Sequence, residues 1–174
     1  NPQITFFKVV YRRHTNFSTE SIQQTLNGTV GFGNRVSCTI SRNGDLVSAC
    51  VLEVNLPALG AGDSYMACVG ERLIEEVEVE IGGQRIDKHN YTWMNAWNQL
   101  TMPAGKQAAF NTMVGATAAG AQKVYVPLVF WFNRNPGLAL PLIALQYHEV
   151  KLNVQFVSAA AGRTNNIDNC CVFC

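Results

Sequence analysis

The residue types that most often carry chemistry are present in this chain, but their spacing is wrong for it. The three histidines, His14, His89 and His148, lie far apart and share no metal-binding interval such as H-E-x-x-H. Four acidic residues, Glu75, Glu76, Glu78 and Glu80, are close enough to suggest the paired carboxylates of glycoside hydrolysis. Three of them, however, recur at every second position of Glu76-Val-Glu-Val-Glu-Ile81, which is the spacing of a solvated strand face. Cys171 and Cys174 form a C-x-x-C, but no second cysteine pair and no H-x3-5-H accompanies them to complete a tetrahedral zinc site. Gly31-Phe-Gly33 lacks the third glycine of a dinucleotide loop, and Gly62-Asp-Ser64 lacks the glycine that follows in a nucleophile elbow. Spacing therefore predicts no catalytic residue, no cofactor-binding residue and no metal ligand.

The elements that would position any site are strands. Ile4 to Arg13 is aromatic and β-branched and reads as one strand, and Phe17 to Leu26 offers a weaker second. Val36, Cys38 and Ile40 alternate with polar residues up to Asn43-Gly44, a hairpin signal that predicts a type I′ turn. The return strand would place Cys50, Leu52, Val54 and Leu56 on one face until Pro57 ends it. Val77, Val79 and Ile81 face a core, with Glu76, Glu78 and Glu80 toward water. Gly82-Gly83 then turns the chain into Gln84 to Asp87. Val150, Leu152, Val154 and Phe156 repeat the pattern within Tyr147 to Val157. Val124 to Phe132 is nearly continuous in apolar residues and reads as a strand buried on both faces, or buried on one and capped by a neighbour on the other.

Helix is a minor component. His89 to Leu100 sets Trp93, Trp97 and Leu100 at i, i+4 and i+7, predicting one core-facing stripe, with Asn90 as the cap. Pro103 to Gln122 is rich in Ala and Gly, weakly helical around Lys106 to Met113, and reads as a long excursion between strands. Many strands, little helix and no βαβ rhythm predict an all-β antiparallel sandwich of about eight strands, for which a jelly roll is the leading architecture.

Composition narrows the function classes. With 13 basic and 12 acidic residues in 174, the chain has no basic excess with which to grip a phosphate backbone. The longest apolar run, broken by Pro127, falls short of a membrane span. Only 14% of residues are charged, which suits a surface that other molecules cover. Cys38 and Cys50 sit in strand-like runs and read as small buried hydrophobes of a reducing compartment. Lys8, Arg12 and Arg13 form a basic patch, either a solvated strand edge or a contact to an acidic neighbour.

Four ordered segments resemble one family. Thr5-Phe-Phe-Lys-Val-Val-Tyr-Arg-Arg-His-Thr-Asn-Phe17, followed by Ser21-Ile-Gln-Gln24, is similar to the opening of the major capsid proteins of nucleocytoplasmic large DNA viruses, among them iridoviruses, marseilleviruses and phycodnaviruses. Ile81-Gly-Gly-Gln-Arg-Ile-Asp-Lys88 with Trp93 and Trp97, Val126-Pro-Leu-Val-Phe-Trp-Phe132, and Leu140-Pro-Leu-Ile-Ala-Leu-Gln-Tyr-His-Glu-Val150 resemble three further segments.

The resemblance implies two consecutive jelly rolls per subunit and a homotrimeric, pseudo-hexagonal capsomer tiling an icosahedral shell. Its partners would be neighbouring capsomers and minor capsid and penton proteins. It implies no direct contact with nucleic acid, contact with an internal membrane only through minor proteins, and assembly in the host cytoplasm. Residues 1–174 would be the first jelly roll without its last strand, with the second jelly roll lying outside. A missing strand would leave Phe130 and Leu152 partly uncovered and the isolated chain poorly folded. By the same resemblance, Pro103 to Gln122 is the candidate inter-subunit contact, through Pro103, Lys106, Phe110, Met113 and Gln122. Ile81 to Lys88 and Leu140 to Val150 would be structural. The alternative is a carbohydrate-binding attachment module, which exposed Trp93, Trp97 or Trp131 on a concave face would favour.

Overall fold

A computed structural model describes residues 2–5, 7–117, 119–158 and 169–174. An N-terminal ribbon, β1 (Pro2–Thr5) and β2 (Lys8–Tyr11), precedes two very short strands, β3 (Gln23–Gln24) and β4 (Leu26–Asn27). Next come β5 (Arg35–Thr39), β6 (Leu46–Val47) and β7 (Val51–Leu56), then a single helical turn α1 (Val69–Arg72). The hairpin β8 (Ile74–Ile81) and β9 (Gln84–His89) leads into helices α2 (Tyr91–Thr101) and α3 (Ala104–Gly115). The described chain continues through β10 (Gln122–Pro127), β11 (Leu140–Pro141), β12 (Val150–Phe156) and β13 (Asn169–Phe173).

Two antiparallel sheets carry the structure. One runs β10-β7-β13-β3 and the other β4-β5-β12-β8-β9. Their inner faces share one hydrophobic core: Leu52, Val54, Val124, Val126 and Val172 from the first, and Val36, Val77, Val79, Leu152 and Val154 from the second. This is an antiparallel sandwich of jelly-roll type, as the period-two alternation predicts. Val150, Leu152, Val154 and Phe156 are all buried, and the residues between them are half-buried. β12 holds the centre of its sheet, with Leu152 opposite Cys38 on one side and Val79 on the other. The Gly82-Gly83 turn forms as expected, with φ of 60° and 84°, joining Ile81 to Gln84. A side chain at Gly82 would also collide with the His148 ring, 2.7 Å from the Cβ it would add.

The fold departs from the sequence reading in several places. Ile4 to Arg13 is not one strand: the chain folds back, Phe7 takes a φ of 64°, and Thr5 pairs with Lys8. Phe17 to Leu26 yields only the two-residue pieces β3 and β4, which belong to different sheets. The Asn43-Gly44 hairpin does not form, because β5 pairs with β4 and β12 while β7 pairs with β10 and β13. Neither Asn43 nor Gly44 adopts the positive φ that a type I′ turn requires. Here the chain crosses between sheets, and β6 pairs with the distant β11 on the way.

The apolar run from Val124 is a strand only to Pro127. Leu128, Val129 and Phe130 are buried without strand pairing, and Trp131–Asn133 is a 3-10 turn. Pro103 to Gln122 is more ordered than a loop excursion, since α3 occupies most of it. Phe130 and Leu152 are fully buried within this chain, contrary to the expectation that they would be partly uncovered.

Candidate assembly surface

The residues with chemical potential are used to hold the sandwich together. Glu78 is buried rather than solvated, and its carboxylate accepts hydrogen bonds from Arg35 and, at 3.2 Å, from Arg85. Burial works against its ionisation, but hydrogen bonding with Glu76 and Arg85 and the Arg35 charge outweigh it and hold the carboxyl below its ordinary range. Lys88 pairs with Glu76 at 2.5 Å, and the Asn153 amide donates to Glu80 at 3.3 Å. Glu76, Glu78 and Glu80 are thus engaged in cross-strand contacts on β8, while Glu75 is exposed.

His89 is buried against Phe130, with ring centroids 4.5 Å apart, and accepts a long hydrogen bond from the Val129 amide. Burial pulls its pKa down to about 4, so it is neutral at physiological pH. Burial pushes the Cys38 and Cys170 thiols up to about 12, so both stay protonated near neutral pH. Cys171 and Cys174 do not form a pair, because residues three apart on a strand point to opposite faces. Among the described residues no cluster of three or more His, Cys, Asp or Glu could hold a metal ion.

The polar feature that hydropathy missed is a clamp on α2. Glu71 of α1 is almost fully buried and accepts hydrogen bonds from Asn95 at 3.3 Å and Asn98 at 2.5 Å. Burial raises its pKa, while the two amides and Arg72 pull it back. The inner face of α2 therefore carries Met94, Asn95 and Asn98. The predicted Trp93, Trp97 and Leu100 stripe is rotated away from it: Trp93 is 43% exposed, Leu100 is 85% exposed, and Trp97 is half-buried under the Arg134 guanidinium. Two amides at i and i+3 facing a lone acidic residue upstream were the only sequence signal of this face. The Asn90 cap does form, its side chain accepting from the Trp93 amide at 3.0 Å.

The predicted contact stretch divides. Phe110 is 8% exposed and Met113 packs against the core, so these two anchor α3 to its own domain. Gln122 is half-buried at the start of β10, where its amide donates to the Ala116 carbonyl at 3.3 Å. Pro103 and Lys106 are exposed at the start of the helix. A larger apolar exposure lies elsewhere. Every residue from Phe7 to Ser21 is exposed, Phe7, Tyr11 and Phe17 nearly completely, with Lys8, Arg12 and Arg13 among them. The β1-β2 ribbon pairs with neither sheet. A two-stranded ribbon alone is marginal in water.

Residues 5–169 match the family model described as the major capsid protein N-terminus. The chain belongs to this capsid family. It is 54% identical over 170 residues to the major capsid protein of Pyramimonas orientalis virus, covering 92% of this chain and 43% of the relative. It is also 54% identical over 171 residues to that of Paramecium bursaria Chlorella virus 1, covering 95% and 39%. A solved quasi-atomic structure of the PBCV-1 virus capsid superposes with a TM-score of 0.80 at 46% identity, over 97% of this chain and 44% of that one. The chain thus spans about two-fifths of the relatives it matches. Within the family frame, the segments Ile81 to Lys88 and Leu140 to Val150 have structural surroundings. The first is the β8-β9 hairpin. The second is held by Arg42, which donates to the carbonyls of Leu145 at 2.9 Å, His148 at 3.0 Å and Gln146. Among the described residues no helix is long and apolar enough to cross a membrane.

Proposed function

We propose that this chain is the first jelly roll of a major capsid subunit, and that the subunit is a non-catalytic building block of an icosahedral viral shell. Residues 1–174 belong to that domain, whose last strand lies outside them, a second jelly roll completes the subunit, and three subunits form a pseudo-hexagonal capsomer. The observation that carries this reading is the 54% identity to proteins named major capsid protein. The exposed N-terminal ribbon and the exposed start of α3, Pro103 and Lys106, supply contact surface for neighbouring subunits. Capsomers would then meet one another and minor capsid and penton proteins in the virion, after assembly in the host cytoplasm. An internal membrane would be reached only through minor proteins, and nucleic acid not directly. Light scattering and electron microscopy of the full-length protein test this. A trimer of pseudo-hexagonal outline supports it, and a monomer at all concentrations overturns it.

One observation favours a second reading, a glycan-binding attachment module. The exposed Trp93 lines an open cleft of about 620 Å³ together with Asp87, Asn90 and Arg134. An aromatic face beside hydrogen-bonding side chains suits a sugar ring. Titration with oligosaccharides, followed by tryptophan fluorescence in the wild type and in Trp93→Ala, decides it. Saturable quenching that Trp93→Ala abolishes supports binding, and an unchanged spectrum rejects it.

A further inference from the structure

Cys50 and Cys174 lie 124 residues apart in sequence, and their sulfurs are 2.9 Å apart. The sheet explains why. β13 pairs antiparallel with β7, Val172 opposite Leu52 and Phe173 opposite Val51, so the next rung sets Cys174 opposite Cys50. The Cys174 amide and carbonyl are both spent on Ile22, at 3.1 and 2.9 Å, on the β3 side of the strand. The Cys50 carbonyl accepts from the Leu128 amide at 2.9 Å, on the β10 side. Neither residue turns those backbone groups toward the other, so this rung is a non-hydrogen-bonded pair. In such pairs the Cα atoms approach to about 4.5 Å and the side chains are closest, inside the range a disulfide spans. Cys171 is on the opposite face of β13 and cannot compete from there.

We propose that Cys50 and Cys174 are an oxidisable pair that closes to an intrachain disulfide, tying β13 covalently to the start of β7. Closure requires less than about 1 Å of sulfur movement. Cys174 is the partly exposed member and Cys50 is buried, so an external oxidant meets Cys174 first. The hydrogen bond with Cys50, and then burial, raise the Cys174 pKa, so its thiolate is scarce and the first step is slow. With glutathione disulfide as oxidant, that thiolate attacks one of its sulfurs, breaks the S–S bond and releases one glutathione thiolate. Cys50 then loses its proton and attacks the Cys174 sulfur of the mixed disulfide, expelling the second glutathione. Two protein thiols are oxidised, one glutathione disulfide is reduced to two thiols, and the two protons lost by the cysteines pass to the departing glutathiones. The chain is reduced while it folds, and it gains a cross-link enclosing most of the domain on reaching an oxidising medium.

The test uses the full-length native protein, incubated with glutathione disulfide, quenched with N-ethylmaleimide and digested without reductant. Mass spectrometry should find the Cys50 peptide joined to the Cys174 peptide, with the link lost on treatment with dithiothreitol. Oxidation should raise the melting temperature by about 5–15 °C. Cys174→Ser, a small change at a partly exposed site, should abolish both the link and the redox-dependent shift. Cys50→Ala should do the same from the other side. Two results would overturn the proposal: both cysteines remaining alkylatable after oxidation, or Cys174 linked instead to Cys38 or Cys171.

Discussion

The N-terminal ribbon and the β12-centred sheet are built from the same kinds of residue and meet water in opposite ways. β2 reads Lys-Val-Val-Tyr and leaves all four side chains exposed, whereas β12 reads Val-Lys-Leu-Asn-Val-Gln-Phe and buries every apolar one. Lys151 to Gln155 of β12 have neighbours on both sides within their sheet, and the strand's buried face meets a second sheet across the core. Among the described residues, the ribbon's two strands pair only with each other. β-propensity is therefore a statement about surroundings: a strand of Val and Tyr gains stability only where something packs on it. The exposed apolar residues of β2 are the ones the proposed assembly would cover, and those of β12 are already buried.

The strongest way to sharpen this contrast is to remove a β12 side chain. Leu152→Ala deletes a fully buried residue between Cys38 and Val79 and should destabilise the domain by about 3–4 kcal/mol, read as a lower urea midpoint. A loss below about 1 kcal/mol would mean that the sheet is less tightly packed than its burial implies.

The next effect is a pH dependence at the edge of the same sheet. His89 has a folded-state pKa depressed from 6.5 to about 4, so the unfolded chain binds the proton more readily. Its contribution is complete above pH 6.5 and is lost as the pH falls toward 4, to a total of about 3 kcal/mol. Urea unfolding across that window should show His89→Phe falling less steeply than the wild type; parallel curves would remove His89 from the account.

A smaller loss, about 2 kcal/mol, is expected from Asn98→Ala, which strips one of the two amides from the buried Glu71 carboxylate. Thermal melts should show it, and a neutral outcome would mean that water replaces the amide.

The smallest stability effect belongs to the ribbon, and it could break the comparison altogether. The double change Phe7→Ser and Tyr11→Ser should alter unfolding by less than about 0.5 kcal/mol, because both side chains are exposed in the single chain. The same variant should fail to assemble in the light-scattering experiment. Normal assembly would show that the ribbon is not a contact surface.

How much was legible depends on how local the cause is. The alternation of β7, β8 and β12, the Gly82-Gly83 turn and the Asn90 cap were all readable, because each depends on residues within one or two turns of chain. The Asn43-Gly44 hairpin was not, although its local signal was strong. A crossover between two sheets outweighed the turn preference. Within Pro103 to Gln122, Pro103 and Lys106 are exposed whereas Phe110 and Met113 are held by their own core, a difference that composition cannot reveal.

The sequence by itself determined the class of fold, the strands that alternate, and, through four ordered segments, the family. Those are matters of period and of residue order along the chain. Only the tertiary structure decided which strands share a sheet, which face of α2 is inside, and which cysteines meet. A buried carboxylate on α1 turned two asparagines of α2 inward and left Trp93 and Leu100 in water. The antiparallel register of β7 and β13 brought Cys50 to Cys174, leaving Cys171 on the other face. Both outcomes depend on residues distant in sequence becoming neighbours, and no window along the chain contains that information.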